Sequence, residues 1–329
     1  MTYRNTIIVS VLACLLLCVS ACQQVVSKDA KDAGAVPAAT QKRTSNETAR
    51  PKDVYGPPIK LGVLSHKEIN ESSGLVSSRS TPGLYWTHND SGGGPFIYAF
   101  DRGGAHKGVW RLTGIKARDC EGIAVGPGPE RGKTYLYLGD IGDNRAARAD
   151  ITVYRFPEPV ITPADASSTK ANPVLTGVPE TIRLRYPDGS HDAETLMVHP
   201  VTGNIYIVTK TLFGTPVIYE ARAPLGTGAT TTMVRVGELS LPGFFGGLIT
   251  DGNISPDGLR VALCDYTQGY ELVLPNAGTP FNEIWKKPLR PVDIGNRKQG
   301  EAIGYRLDGR ALLATSEGRR GPLIQVVRR

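Results

Sequence analysis

Carboxylates recur at one place in the pattern of this sequence. Glu71 stands two residues before Ser73-Gly74-Leu75, Asp119 and Glu121 flank Cys120, and Asp192 and Glu194 flank Ala193. Asp251 precedes Gly252-Asn253, and Glu301 precedes Ala302. Each acid is followed by a short apolar run. Carboxylates brought together repel one another unless a cation or protons are shared among them, and oxygen donors of this kind suit hard cations such as calcium. Two readings stand. Either Asp119, Glu121, Asp192, Glu194 and Glu301 hold a metal ion, or each acid caps backbone N–H groups where a strand begins.

Three further features carry possible chemistry. Gly139-Asp140-Ile141-Gly142-Asp143-Asn144 places oxygen donors close in sequence on a path that glycine permits, so Asp140, Asp143 and Asn144 are candidate calcium ligands. The spacing departs from the helix-loop-helix calcium loop and lacks its distal Glu; a loop built on Asx-turns is the alternative. His88-Asn89-Asp90-Ser91 ends a strand-like run, where His88 is a candidate base or ligand. Lys210 and Glu317 end equivalent runs in other repeats. Glu71, His88, Asp90, Lys210 and Glu317 are therefore expected to contact a ligand, with Lys210 suited to an anionic one. The sequence has no G-x-S-x-G elbow, no H-E-x-x-H and no C-x-x-C. Gly132-Lys133-Thr134 resembles the end of a P-loop, but Pro127 stands where its first glycine belongs.

The elements that must position these residues are short strands. From residue 59 onward Gly and Pro are frequent, apolar runs alternate with turn signals, and no stretch has the period of a long amphipathic helix. One unit recurs: an apolar strand, a Gly- or Pro-containing turn, and a second β-forming strand. Its copies begin near residues 74, 122, 195, 253 and 302, at intervals of 48 to 73 residues. A third strand follows each copy. A fourth is expected at Gly108–Leu112, Thr181–Tyr186, Met233–Leu239 and Ile284–Pro291. The last copy has no room for one, and Lys60–Ser65 is a spare strand that could close a ring. The expected fold is all-β, a β-propeller of five blades closed by an N-terminal strand. A six-bladed ring, with one blade hidden in Val160–Gly177, is the alternative.

The first residues carry a different message. Arg4 precedes a mostly apolar run from Ile7 to Val19, long enough for a signal peptide and short for a membrane span. The run ends in Val19-Ser20-Ala21-Cys22, which resembles the bacterial lipobox. The resemblance implies cleavage before Cys22 and lipidation of that cysteine with several acyl chains, palmitate among them, which anchor more stably than one. Residues 1–21 read as a lipoprotein signal peptide, 22–58 as the lipidated cysteine and a polar tether, and 59–329 as the propeller. The expected location is extracytoplasmic and membrane-anchored. Gln23 favours the periplasmic face of the outer membrane if the host has two membranes.

Cleavage removes Arg4 and no acid, leaving a net charge of +6. That mild excess, without basic runs or interleaved aromatics, gives nucleic-acid binding no support. Cys14 and Cys18 leave with the signal peptide. Cys120 and Cys264 then remain in the domain, either bridged or as two buried thiols.

Glu-Ser-Ser-Gly-Leu at 71–75, His-Asn-Asp-Ser at 88–91, Asp-Cys-Glu-Gly-Ile-Ala at 119–124 and Gly-Asp-Ile-Gly-Asp-Asn at 139–144 together resemble a group of secreted bacterial β-propeller proteins that is largely uncharacterised. An aromatic residue is usual in that group where Cys120 stands here. More distantly, Glu121, Glu194 and Glu301 are similar to the acidic blade starts of phytase-like propellers, a resemblance that implies calcium and phosphate-ester hydrolysis. Two functions are expected from these readings: a module that binds an unknown protein or a small anionic ligand, or a divalent-cation-dependent hydrolase of a phosphate ester.

Overall fold

The computed structural model describes residues 54–90, 92–241 and 247–329. The segments expected to be the signal peptide, the lipidated Cys22 and most of the tether lie outside the described residues, as does Ser91. The described chain forms five sheets, each built on four antiparallel strands laid side by side from an inner to an outer position, and two of them carry a fifth short strand in parallel, Val174–Leu175 on blade 1 and Thr231–Thr232 on blade 2. Blade 1 comprises Ser72–Ser77, Leu84–Asn89, Phe96–Asp101 and His106–Arg111. Blade 2 comprises Cys120–Pro127, Thr134–Asp140, Ile151–Pro157 and Glu180–Arg185. Blade 3 comprises Ala193–Val198, Ile205–Thr209, Val217–Ala221 and Val234–Glu238. Blade 4 comprises Asp251–Ile254, Arg260–Cys264, Gly269–Val273 and Arg290–Val292. Blade 5 comprises Gly300–Tyr305, Ala311–Ser316 and Pro322–Val327, and takes its outer strand from the N-terminal side, Ile59–Val63. The inner strands neighbour one another in a closed cycle. This is a five-bladed β-propeller.

The strands read as near-continuous apolar runs because each blade is covered on both faces. Side chains alternate across a strand, so neighbouring residues feed two different cores. In blade 3, Ile205 and Ile207 pack toward blade 2 with Tyr137 and Val153, whereas Tyr206 and Val208 pack toward blade 4 with Val261 and Leu263. Five such apolar clusters fill the five gaps between blades. The ring is closed by the Ile59–Val63 strand, which pairs antiparallel with Pro322–Val327. Tyr55 extends the closure. It bridges to Arg328, and its hydroxyl donates 2.6 Å to the buried Glu271 of blade 4. Val54–Pro58 therefore belong to the domain rather than to the tether. Covering that edge removes the unpaired N–H and C=O row that an open sheet would present.

Two sequence expectations need correction. Val160–Gly177 hides no sixth blade: it makes a short 3-10 turn at Pro163–Ser167, and Val174–Leu175 pairs in parallel with the outer strand of blade 1. The segment is too short for four strands and is used as a strap. The fourth strand of blade 4 is also shorter than the span Ile284–Pro291. Phe281–Lys286 forms a 3-10 turn that buries Ile284 and Trp285 against blade 3, leaving only Arg290–Val292 to pair.

Candidate functional site

The acids are placed by a repeated irregularity of the inner strands. In blade 2 the pairing register slips between Cys120 and Gly122, in blade 3 between Ala193 and Thr195, and in blade 5 between Gly300 and Ala302. The extra residue at each slip is a glutamate: Glu121, Glu194 and Glu301. A bulge re-aims its side chain and ends regular pairing, which explains why the acid recurs at the same step of the repeat. Blade 1 slips between Ser72 and Leu75, where Ser73 takes the corresponding place. In blade 4, Asp251 pairs with Cys264 while the Thr250 N–H also donates to the Cys264 carbonyl. The four slips, and Asp251 in blade 4, lie where the inner strands begin and the second strands end, at one mouth of the channel.

Glu121, Glu194 and Glu301 are 2%, 8% and 4% exposed. The Glu121 carboxyl is driven well above the usual carboxylate range, first by burial and then by the charges of Glu194, Asp90 and Asp119. Burial pushes Glu194 up to about 7 against the pull of Lys210, whose ammonium forms an ion pair with Glu194 Oε1. Lys210 stays above the ordinary lysine range although burial works against it, because Glu194, Tyr266 and Glu301 surround it. Its Nζ also donates 2.8 Å to the Tyr266 hydroxyl. Glu301 is raised by burial and by Glu194, with Gln299 donating 3.0 Å to its Oε1. Asp251 accepts 2.9 Å from the Ile303 N–H and ties blade 4 to blade 5.

Three carboxylates converge more closely than the rest. One oxygen each of Asp90, Asp119 and Glu121 lies within 4.8 Å of the other two. Asp90 arrives from the end of the second strand of blade 1. The turn is held by Asn89, whose Oδ1 accepts from the N–H groups of Asn70 and Glu71 at 3.3 Å and whose Nδ2 donates to the Glu68 carbonyl at 2.6 Å. Gly142 makes room on the other side: a Cβ there would lie 2.6 Å from Asp119 Cγ and 2.8 Å from Glu121 Cγ. Nearby, Glu194 Oε2 is buried and accepts no hydrogen bond among the described residues. Buried carboxylate oxygens are normally paired. The Asp90 charge raises both the Glu121 and the Glu194 carboxyl.

The other sequence candidates divide differently. Asp140, Asp143 and Asn144 do not join the triad. Asp140 accepts from the Arg118 N–H at 2.9 Å, the Asp119 N–H at 3.1 Å and Arg148 at 2.8 Å. Asp143 accepts 2.7 Å from the Arg148 N–H, and Asn144 is exposed. Asp140 and Asp143 here hold the loop to its neighbours, and Gly142 serves close approach. Asp192 accepts 2.7 Å from the Asp143 N–H and lines a cleft beside the channel. Glu71 and Glu317 flank the same mouth, each half-buried. His88 is brought elsewhere. Its ring is fully buried inside blade 1 against Gly74 and Ile123, its Nδ1 lies 2.9 Å from the Asn89 carbonyl, and burial lowers its pKa to about 4. A neutral enclosed ring does not reach a ligand at the mouth. Cys120 and Cys264 are unbridged and buried in different blades, and burial raises both thiols, Cys264 to about 12.

Tyr266 and Arg148 escaped the sequence reading. Tyr266 had a usable signal, since it follows the second strand of blade 4 much as Lys210 follows that of blade 3. Arg148 had none: only the folded loop returns it to Asp140. Between blades 2 and 3 a cleft of about 490 Å³ opens onto the same end, lined by Asn144, Asp192, Lys210 and Phe213 among others.

No family model matches this chain, and no curated protein matches it. Among solved structures, the chain is similar to one in a nidogen/laminin complex, with 13% identity over 77% of this chain and 74% of that one and a TM-score of 0.44. The propeller is established by its own five closed sheets.

Proposed function

We propose that the protein is a membrane-anchored, extracytoplasmic binding module whose ligand is taken at the acidic mouth of the channel, with a divalent cation held there. The observation that carries this reading is the convergence of Asp90, Asp119 and Glu121 within 4.8 Å, beside the buried Glu194. An all-oxygen donor set of this density suits calcium, which takes six to eight oxygens in flexible geometry. Without a cation the acids repel, and Glu121 keeps its charge only at a cost. A cation relieves that repulsion and presents open coordination positions to a ligand oxygen. The anchor is the lipid on Cys22; no helix among the described residues is long and apolar enough to cross a membrane. Lys210 is already committed to Glu194, so an anionic ligand would have to be met by the cation rather than by this lysine.

The test is calorimetric titration with calcium. The wild-type protein is expected to bind at micromolar concentrations. Glu121→Gln should abolish binding. Gly142→Ala, whose methyl would displace Asp119 and Glu121, should weaken it at least tenfold with an unchanged circular dichroism spectrum. No heat of binding and no calcium-dependent rise in melting temperature would overturn the cation site. Calcium-dependent turnover of p-nitrophenyl phosphate would replace the binding module with a hydrolase, in which the cation lowers the pKa of an attacking water.

A further inference from the structure

We infer that the end of the propeller opposite the acidic mouth is a membrane-contacting face, which rests on an anionic phospholipid surface and turns the mouth away from the bilayer. The acids mark one end of the ring, because they stand where inner strands begin. The connections from first to second strand and from third to fourth strand therefore lie at the other end. Together with residues 54–58 and 328–329 they carry twelve basic and six acidic side chains, against ten and eleven on the connections at the mouth. The six acids are also occupied. Glu130, Asp257, Glu283 and Asp308 each pair with a basic residue close in sequence. Glu158 is buried and accepts from the Trp86 indole at 2.9 Å, and Asp165 accepts from the Thr162 N–H at 2.6 Å. Arg131, Arg310 and Arg329 are exposed and form no salt bridge among the described residues. A leaflet of anionic lipid attracts side chains of this kind. A second observation favours a lipid surface over a soluble polyanion. Val160, Val178 and Val201 are the most exposed large apolar side chains among the described residues, at 75%, 78% and 75%, and all three lie on these connections. Apolar side chains set among basic ones suit the boundary between headgroups and acyl chains, where the former are buried and the latter meet phosphate. The chain also enters the domain here, since Tyr55 bridges to Arg328. The segment that leads back to Cys22 therefore leaves from this face.

This inference rests on the membrane-anchored reading for what brings the bilayer near, and not on the cation. The lipid retains the protein, and the face orients it. The experiment uses the full chain carrying one introduced cysteine for an environment-sensitive fluorophore, with the unsubstituted chain as the blank. Cys120 and Cys264 are buried, so the introduced thiol takes the label. Val201→Cys reports the basic end, and Arg319→Cys, exposed on a connection at the mouth, reports the other. Both are incorporated into phosphatidylcholine vesicles with and without phosphatidylglycerol. The label at position 201 is expected to shift to the blue on vesicles that contain phosphatidylglycerol, while the label at 319 stays as in water. The shift should be lost in about 1 M salt, where the screening length falls to about 3 Å. It should also be lost in Arg131→Gln/Arg310→Gln, with an unchanged melting temperature because both side chains are exposed. No shift at 201, an equal shift at both positions, or a shift that persists without phosphatidylglycerol would overturn the inference. A response to polyglutamate in place of vesicles would give the face to an acidic protein and overturn it as well. Vesicle flotation and the mass of the chain separate the two readings. A lipidated chain that floats with the vesicles without a shift at 201 keeps the anchor and removes the face. A shift at 201 in a chain whose mass shows no acyl group on Cys22 keeps the face and removes the anchor.

Discussion

At the scale of single residues, burial decides what each polar group can do. His88 and Asp90 are two positions apart, but His88 lies within the strand Leu84–Asn89 and Asp90 just beyond its end, where regular alternation stops, and they meet different fates. The imidazole is enclosed and neutral, and the carboxylate reaches the mouth. His88 therefore bears on stability. Its folded pKa of about 4 lies below the unfolded value of 6.5, so the unfolded chain binds the proton more readily between these values. The neutral ring contributes stability that is fully present above pH 6.5 and is lost as pH falls toward 4, at no more than about 1.4 kcal/mol per pH unit. His88→Gln should flatten that part of the stability profile, measured by urea unfolding from pH 7 to pH 4. An unchanged slope would place the acid sensitivity in other groups.

Among the elements, two devices stand out: the bulge that turns a glutamate inward at the start of an inner strand, and the strand that closes the ring. The first was legible as a repeated acid before a small residue, because a bulge needs one extra residue at a fixed step. The second was legible as a spare strand ahead of the first repeat, although its outer latch was not. Tyr55 lies in a stretch that reads as tether, and only the fold carries it to Glu271, 216 residues away. Tyr55→Phe should cost about 1–3 kcal/mol, because it removes a hydrogen bond from a buried carboxylate. Thermal unfolding is the measurement. A melting temperature lower by about 2–4 °C per kcal/mol is expected, and an unchanged value would show that strand pairing alone closes the ring.

For the molecule as a whole, the propeller gathers acids from four blades at one opening, Asp90, Glu121, Glu194 and Glu301 among them, while the N-terminal strand that closes the ring follows directly from the segment leading back to Cys22. On the proposed reading, the same chain segment that completes blade 5 connects the domain to its anchor. Cys22→Ala should move the protein from the membrane pellet to the soluble fraction of lysed cells and abolish labelling by a palmitate analogue. Retention in the pellet after a high-salt wash would remove the lipid anchor from the proposal, because salt screens the attraction of a +6 chain to acidic lipid.

By itself the sequence determined the repeated all-β unit, the order of the strands and the step at which each acid enters, and it left five and six blades both open. These follow from local periods: side chains alternate every two residues, turns need Gly, Pro or Asp, and each unit must bury both faces against a copy of itself. The tertiary structure alone decided which acids meet. Asp140 and Asp143 look like ligands in a row of oxygens but are consumed by Arg148 and by backbone N–H groups, whereas Asp90 joins Asp119 and Glu121 from a neighbouring blade. Distances across the channel depend on the curvature of the closed ring and on the space left at Gly142, and neither is encoded in the spacing of residues along one strand.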